Sequence, residues 1–259
     1  MLDLLKRPFT RLFASAPYNP VTDAHWQAAE ARLTFLARLD AEERRRLRAL
    51  ALDFIRRKSW QGAQGLTITL EMQLVVALQA CLLILKRALS EYDGWVEIVL
   101  YPGDFIIPRS VMDEDGVVHE YDDEVLGEAW DGGPLLLAWN EDEIGAGAGD
   151  TKGLDAHVNV VIHEFAHKLD MNTGAADGMP ALPDAAARRR WARVFTAAYD
   201  DFCERVDSGE ATDIDPYAAE APAEFFAVAS EVFFESPEIL KRDYPDVYAE
   251  LASFYRQNP

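Results

Sequence analysis

Two cysteines are all the thiol chemistry that this 259-residue chain contains. Cys81 lies in the apolar run Gln79-Ala80-Cys81-Leu82-Leu83 and Cys203 in a helical pattern, so neither a disulfide framework nor a thiolate metal site is expected, and a reducing compartment suits the composition. Positive charge is also scarce: 25 Lys and Arg stand against 45 Asp and Glu, a net charge of −20. Such a surface repels phosphate backbones, which argues against direct nucleic-acid binding. Long hydrophobic runs are missing as well. The longest, Leu74 to Leu85, contains Gln79 and falls well short of the ~20 residues that cross a bilayer. The first sixteen residues end in an Ala-x-Ala-like triplet, but Lys6, Arg7 and Arg11 interrupt each apolar stretch and leave no signal-peptide core. A cytoplasmic chain without a membrane segment is the expectation. No internal repeat, low-complexity tail or Gly-rich phosphate loop is found.

Hydrophobic residues make up 49% of the chain and charged residues 27%, enough to bury a sizeable core. Asp40 to Lys58 places Leu47, Leu50, Ala51, Phe54 and Ile55 at helical spacing behind an acidic first turn, an amphipathic helix. Leu70 to Leu89 is apolar on nearly all sides and reads as a central buried helix. From Trp95 the pattern changes to short β-rich runs: Trp95 to Tyr101, Phe105 to Pro108, Val117 to Tyr121, Glu124 to Trp130 and Pro134 to Trp139, which predict a small sheet. After a flexible connection at Gly145 to Gly149, helical periodicity returns over Ala156 to Asp170, Asp184 to Val206, Pro222 to Glu235 and Tyr244 to Tyr255. Helices, a sheet and helices again predict one α+β domain over 1–259, with parts at about 20–90, 95–140 and 155–259.

Within Val158 to Asp170, His163 and His167 stand four apart in a helical apolar pattern. Four residues is about one turn, so both imidazoles share a face and can close on one Zn²⁺, while Glu164 can reach the attacking water. This is the H-E-x-x-H spacing of zinc peptidases, which chance supplies in roughly one chain per hundred of this composition. The bland alternative is a hydrogen-bonded polar cluster, but burying two histidines and a glutamate without a metal is costly. A catalytic zinc keeps three protein ligands and one open position. Metzincins place the third in H-E-x-x-H-x-x-G-x-x-H; here Asp170 and Thr173 occupy those later positions, so that class is excluded. Downstream, Glu224 sits in the first turn of a proline-opened helix among Ala223, Phe225 and Phe226. It is either a partner of the helix dipole or a carboxylate directed at a buried cation, and the incomplete zinc site favours the second. Asp170 either orients a ligand imidazole or caps and solvates the helix end, and His157, off the i, i+4 register, is expected to be exposed at the helix start.

The motif His163-Glu164-Phe165-Ala166-His167, with Tyr217-x6-Glu224-Phe225-Phe226-Ala227, resembles the Mlc titration factor A (MtfA) family of zinc peptidases, related to the catalytic domain of anthrax lethal factor. The likeness covers most of the chain and extends to Tyr92-Asp93-Gly94-Trp95, Gly127-Glu128-Ala129-Trp130, Asn159-Val160-Val161, Ala175-Ala176-Asp177-Gly178 and the ending Phe254 to Pro259. The resemblance implies a gluzincin-like zincin with His163, His167 and Glu224 as ligands of one Zn²⁺, Glu164 as general base and Tyr217 as a hydroxyl that steadies the oxyanion. It also implies a motif helix beneath a small mixed sheet whose edge strand pairs with an extended substrate, and Pro134 to Trp139 is the segment assigned to that edge. The expected activity is zinc-dependent peptide hydrolysis, aminopeptidase-like on short peptides. The family's name adds a protein partner, a transcriptional repressor, and so a second reading as a regulator that titrates it. A purely structural zinc is disfavoured, because closed sites usually recruit four ligands, often cysteines.

Overall fold

The computed structural model describes residues 21–112, 118–140 and 159–259. The Gly145 to Gly149 connection, His157 and the first sixteen residues lie outside them. Two helices open the described chain, α1 (Asp23–Arg32) and α2 (Ala41–Arg57), the second started by an Asp40 side chain that accepts from the N–H groups of Glu42 and Glu43. Its acidic first turn and basic last turn suit the helix dipole. Then α3 (Leu70–Leu83) buries all but the start of its length and packs on α2. It stops short of the expected Leu89, and side chains satisfy carbonyls at and beyond its end: Gln257 donates to Leu82 O and Arg46 to Leu85 O. Ile84 and Leu85 remain buried beyond the helix end.

The predicted small sheet is two sheets. Strands β1 (Ser59–Gly62), β2 (Glu97–Tyr101), β5 (Gly127–Ala129) and β6 (Leu135–Ala138) form a four-stranded sheet in the order β1-β2-β6-β5, while β3 (Phe105–Met112) and β4 (Val118–Val125) form a separate antiparallel ribbon. β1, β2 and β6 are mutually parallel, and β5 runs antiparallel to β6 in the register Gly127↔Leu137, Glu128↔Leu136, Ala129↔Leu135. The assignment of Pro134 to Trp139 to the sheet edge is therefore overturned. β6 is interior and buried along its whole length, and β1 and β5 hold the two edges, β5 being the one beside α4. The reason was present in the composition of the strand: an unbroken apolar run suits a strand covered on both faces, whereas an edge strand breaks its apolar pattern. Leu135 and Leu137 face the main core, and Leu136 faces a smaller cluster with Phe105 and Ala138.

Five more helices complete the described chain: α4 (Val160–Asp170), α5 (Ala185–Asp207), α6 (Pro222–Glu235), α7 (Pro237–Asp243) and α8 (Pro245–Tyr255). The chain is α+β, and a single apolar core runs from Trp26 in α1 to Tyr255 in α8. α4 lies at its centre, against α3, β5, β6 and α6. Phe165 on its core side meets the rings of Phe54, Tyr92 and Trp95 at 5.6, 5.3 and 5.8 Å. No helix among the described residues is long and apolar enough to cross a membrane.

Candidate metal centre

α4 begins at Asn159, whose side chain accepts from the Ile162 N–H at 3.0 Å, and all eleven of its residues are buried. One turn separates His163 from His167, and their rings meet edge to face with centroids 4.7 Å apart. α6 lies against this helix and is opened by Pro222, which fixes the backbone of its first turn and places Glu224 there. His163 Nε2 is 2.9 Å from Glu224 Oε2, His167 Nε2 is 3.3 Å from the same oxygen, and the two Nε2 atoms are 3.1 Å apart. The structure thus brings together His163, His167 and Glu224, the same three residues that the sequence singled out as ligands, in a cluster able to hold a metal ion. Donors about 2.0–2.1 Å from a tetrahedral ion sit about 3.3 Å from one another, so the donor set fits Zn²⁺ with little adjustment.

The cluster is not satisfied as a set of hydrogen bonds alone. Among the described residues, Glu164 Oε2 and His167 Nδ1 are buried without a hydrogen-bond partner. Groups of that kind are costly in an interior, which weighs against the bland reading of a self-contained polar cluster. Burial pushes the Glu164 carboxyl above its ordinary range. Burial acts in the same direction on Glu224, but hydrogen bonds from His163 and His167 outweigh it and hold that carboxyl near 2. For His163, burial favours the neutral ring, and the carboxylates of Glu224 and Glu231 overcome it to raise the imidazole well above its usual value.

Glu231 was not anticipated. It lies seven residues after Glu224, two turns along α6 on the same face, and that spacing in an otherwise apolar helix was the available signal. Its carboxylate accepts from His163 Nδ1 at 2.7 Å and from the Asn159 N–H at 2.6 Å, while Glu235, one turn on, accepts from the Asn159 side-chain amide at 2.6 Å. α6 therefore grips both the start of α4 and the far side of its first imidazole. Asp170 neither solvates nor caps the helix end, and it hydrogen-bonds neither imidazole: it is fully buried and accepts from the Gly178 N–H at 2.7 Å, with burial pushing it up to about 6. Gly178 (φ +80°) is pressed against α6, where a Cβ would stand 2.5 Å from the Pro222 carbonyl. Its own carbonyl accepts from the Trp191 indole at 2.8 Å.

Tyr217 comes from a 3₁₀ turn, Pro216–Ala219, whose Asp215 cap accepts from the Tyr217 N–H at 2.9 Å. Its ring, half exposed, is centred 6.0 Å from that of His163, so the structure brings this predicted residue to the cluster as well. On the opposite side the edge strand closes in: a Cβ on Gly127 would lie 2.6 Å from Val160 Cγ2 and 2.7 Å from both Cγ and Oε1 of Glu164. Only glycine lets β5 approach the motif helix so closely.

An α+β chain whose central helix aligns two histidines and a glutamate beneath a sheet edge, with a carboxylate from a second helix completing the donors, has the constellation of a metal-dependent hydrolase. The comparison of sequences agrees. The profile of the family described as glucose-regulated metallo-peptidase M90 matches residues 10–256, and the chain belongs to that family. It is 39% identical over 240 residues to the Mlc titration factor A of Pectobacterium atrosepticum, covering 91% of this chain and 86% of that one. It is 38% identical over 243 residues to that of Serratia proteamaculans (92% and 88%), and 36% identical over 241 residues to that of Yersinia enterocolitica (91% and 86%).

Proposed function

We propose that the protein is a zinc metallopeptidase of gluzincin type, folded as a single catalytic domain, in which His163, His167 and Glu224 hold one Zn²⁺. The observation that carries the reading is the three-donor cluster with a buried, unpartnered Glu164 oxygen beside it. Bound there, zinc supplies Lewis-acid chemistry: it acidifies a water and polarises a carbonyl. Glu164 is the general base. It takes the proton from the attacking water and returns it to the leaving amine, and its burial, by pushing the carboxyl upward, brings it closer to the proton affinity that both transfers need. Tyr217, on its capped turn beside His163, offers a hydroxyl to the carbonyl oxygen as negative charge grows there. The main chain of β5 orients an extended peptide across the site, with Gly127 setting the depth to which it reaches Glu164.

The activity is expected to be aminopeptidase-like on short peptides. Hydrolysis of a mixed peptide library by the zinc-loaded protein, read by mass spectrometry beside Glu164→Gln, tests it. Glu164→Gln is expected to bind one zinc and lose turnover, and the product ends distinguish trimming from internal cutting. Turnover retained in that variant defeats the general-base role. A second reading rests on the relatives' printed name: binding of an Mlc-like transcriptional repressor, with catalysis secondary, for which the chain's net charge of −20 suits a basic partner surface. Repressor binding undiminished in Glu164→Gln separates the two.

A further inference from the structure

Directly after its second histidine the motif helix carries a lysine with no part in the hydrolysis. Lys168 is buried, and its Nζ donates to three carbonyls: Trp130 at 2.6 Å, Gly133 at 3.0 Å and Pro134 at 3.4 Å. All three belong to the turn that joins β5 to β6. That turn is also tight within itself, since Trp130 N–H donates to Pro134 O and Gly133 N–H to Trp130 O. Gly133 is needed there, because a Cβ would lie 2.9 Å from that of Trp130. The main chain of Trp130 is thereby fixed to the residue next to His167, while the residue as a whole is 47% exposed.

Trp130 follows directly on the edge strand, as the first residue of the turn to β6. β5 begins with Gly127 against Val160 and Glu164 and leads to Trp130 beside Lys168, so it runs along α4 in the same sense. A peptide laid antiparallel on the outer side of β5 places its amino-terminal portion at the Trp130 end. Three residues of strand span about 10 Å, and a large ring reaches its diagonal as well as its direct cross-strand neighbour. We propose that Trp130, held by Lys168, is a specificity-determining residue of the peptidase site, a flat apolar platform for an aromatic or large aliphatic side chain just amino-terminal to the scissile bond. The proposal rests on the peptidase reading and adds to it the class of substrate residue that is selected.

Two peptide series test it, one varying the residue that supplies the scissile carbonyl and the other varying the residue before it, each with Gly, Ala, Leu and Phe. In one of them the wild-type protein is expected to favour Phe over Gly about tenfold in kcat/KM, and Trp130→Ala to reduce that ratio at least about threefold. Trp130→Phe, which keeps an aromatic face, is expected to restore most of it. A ratio unchanged by Trp130→Ala in both series overturns the proposal. If the wild-type protein cleaves no peptide, the peptidase reading fails by itself and Trp130 is decided by calorimetry on the Glu164→Gln protein. There Phe peptides are expected to bind more tightly than Gly peptides, and adding Trp130→Ala to abolish the difference. Equal binding of the two in Glu164→Gln overturns it.

Discussion

A buried carboxylate such as Glu231 persists only where donors hold it, and its donors are the His163 imidazole and the Asn159 backbone N–H. By accepting from Nδ1 it fixes the tautomer that leaves Nε2 facing Glu224 and His167, and it raises the basicity of that nitrogen. Glu231→Gln keeps the shape and loses the charge, so zinc affinity is expected to fall about tenfold; Glu231→Ala removes the acceptor altogether and approaches a hundredfold. Competition against a chromogenic chelator measures both, and an unchanged affinity in both variants would show that His163 is oriented without this residue. At this scale the sequence revealed the side chains that cluster and concealed their supports. His163, Glu164 and His167 are defined by spacing within one helix. Glu231 and Lys168 matter through groups 68 and 38 residues away in the chain, and the two-turn spacing of Glu231 from Glu224 is the local sign of the first alone.

Helix α6 was legible to the residue, from Pro222 to Glu235, because a proline opens it and an apolar face sustains it. β1 was not. Ser59–Gly62 is short, mostly exposed and without alternation, and it is a strand only because β2 offers it a parallel partner. Between these extremes lies β6, recognised as a strand but placed at the edge rather than inside the sheet. The edge strand beside α4, β5, has only three residues, and its consequential feature is an absent side chain. Adding one Cβ by Gly127→Ala must displace either the strand or Glu164. A shift near 1 Å at a reacting group costs about a hundredfold. kcat/KM is expected to fall by about that factor with zinc stoichiometry unchanged; a rate within threefold of wild type would place the substrate strand elsewhere.

The docking of α6 on α4 buries Glu231 and half-buries Glu224 and Glu235 along one helix, and the molecule's stability depends on pH as a result. Glu235 is pushed up to about 7 by burial, aided by the charge of Glu231 and opposed by the Asn159 amide and Arg38. With the folded value above the ordinary 4.5, the native state holds more protons than the unfolded state between about pH 4.5 and 7, so this residue's contribution is full below that window and lost as pH rises through it. Glu235→Gln keeps an acceptor for Asn159 without the charge. Relative to wild type it is expected to be more stabilising at pH 8 than at pH 5 by on the order of 1–3 kcal/mol in urea unfolding. An equal difference at both pH values would refute the burial of a charge there. The same docking has a consequence during synthesis. The two histidines and the base emerge from the ribosome together, whereas Glu224 follows 57 residues after His167 and Glu231 follows 68 after His163. On the proposed ligand set, a growing chain carries an incomplete donor set until α6 has emerged and settled on α4. On that reading the site is incomplete while the chain is being made, and is closed only when α6 has docked on α4.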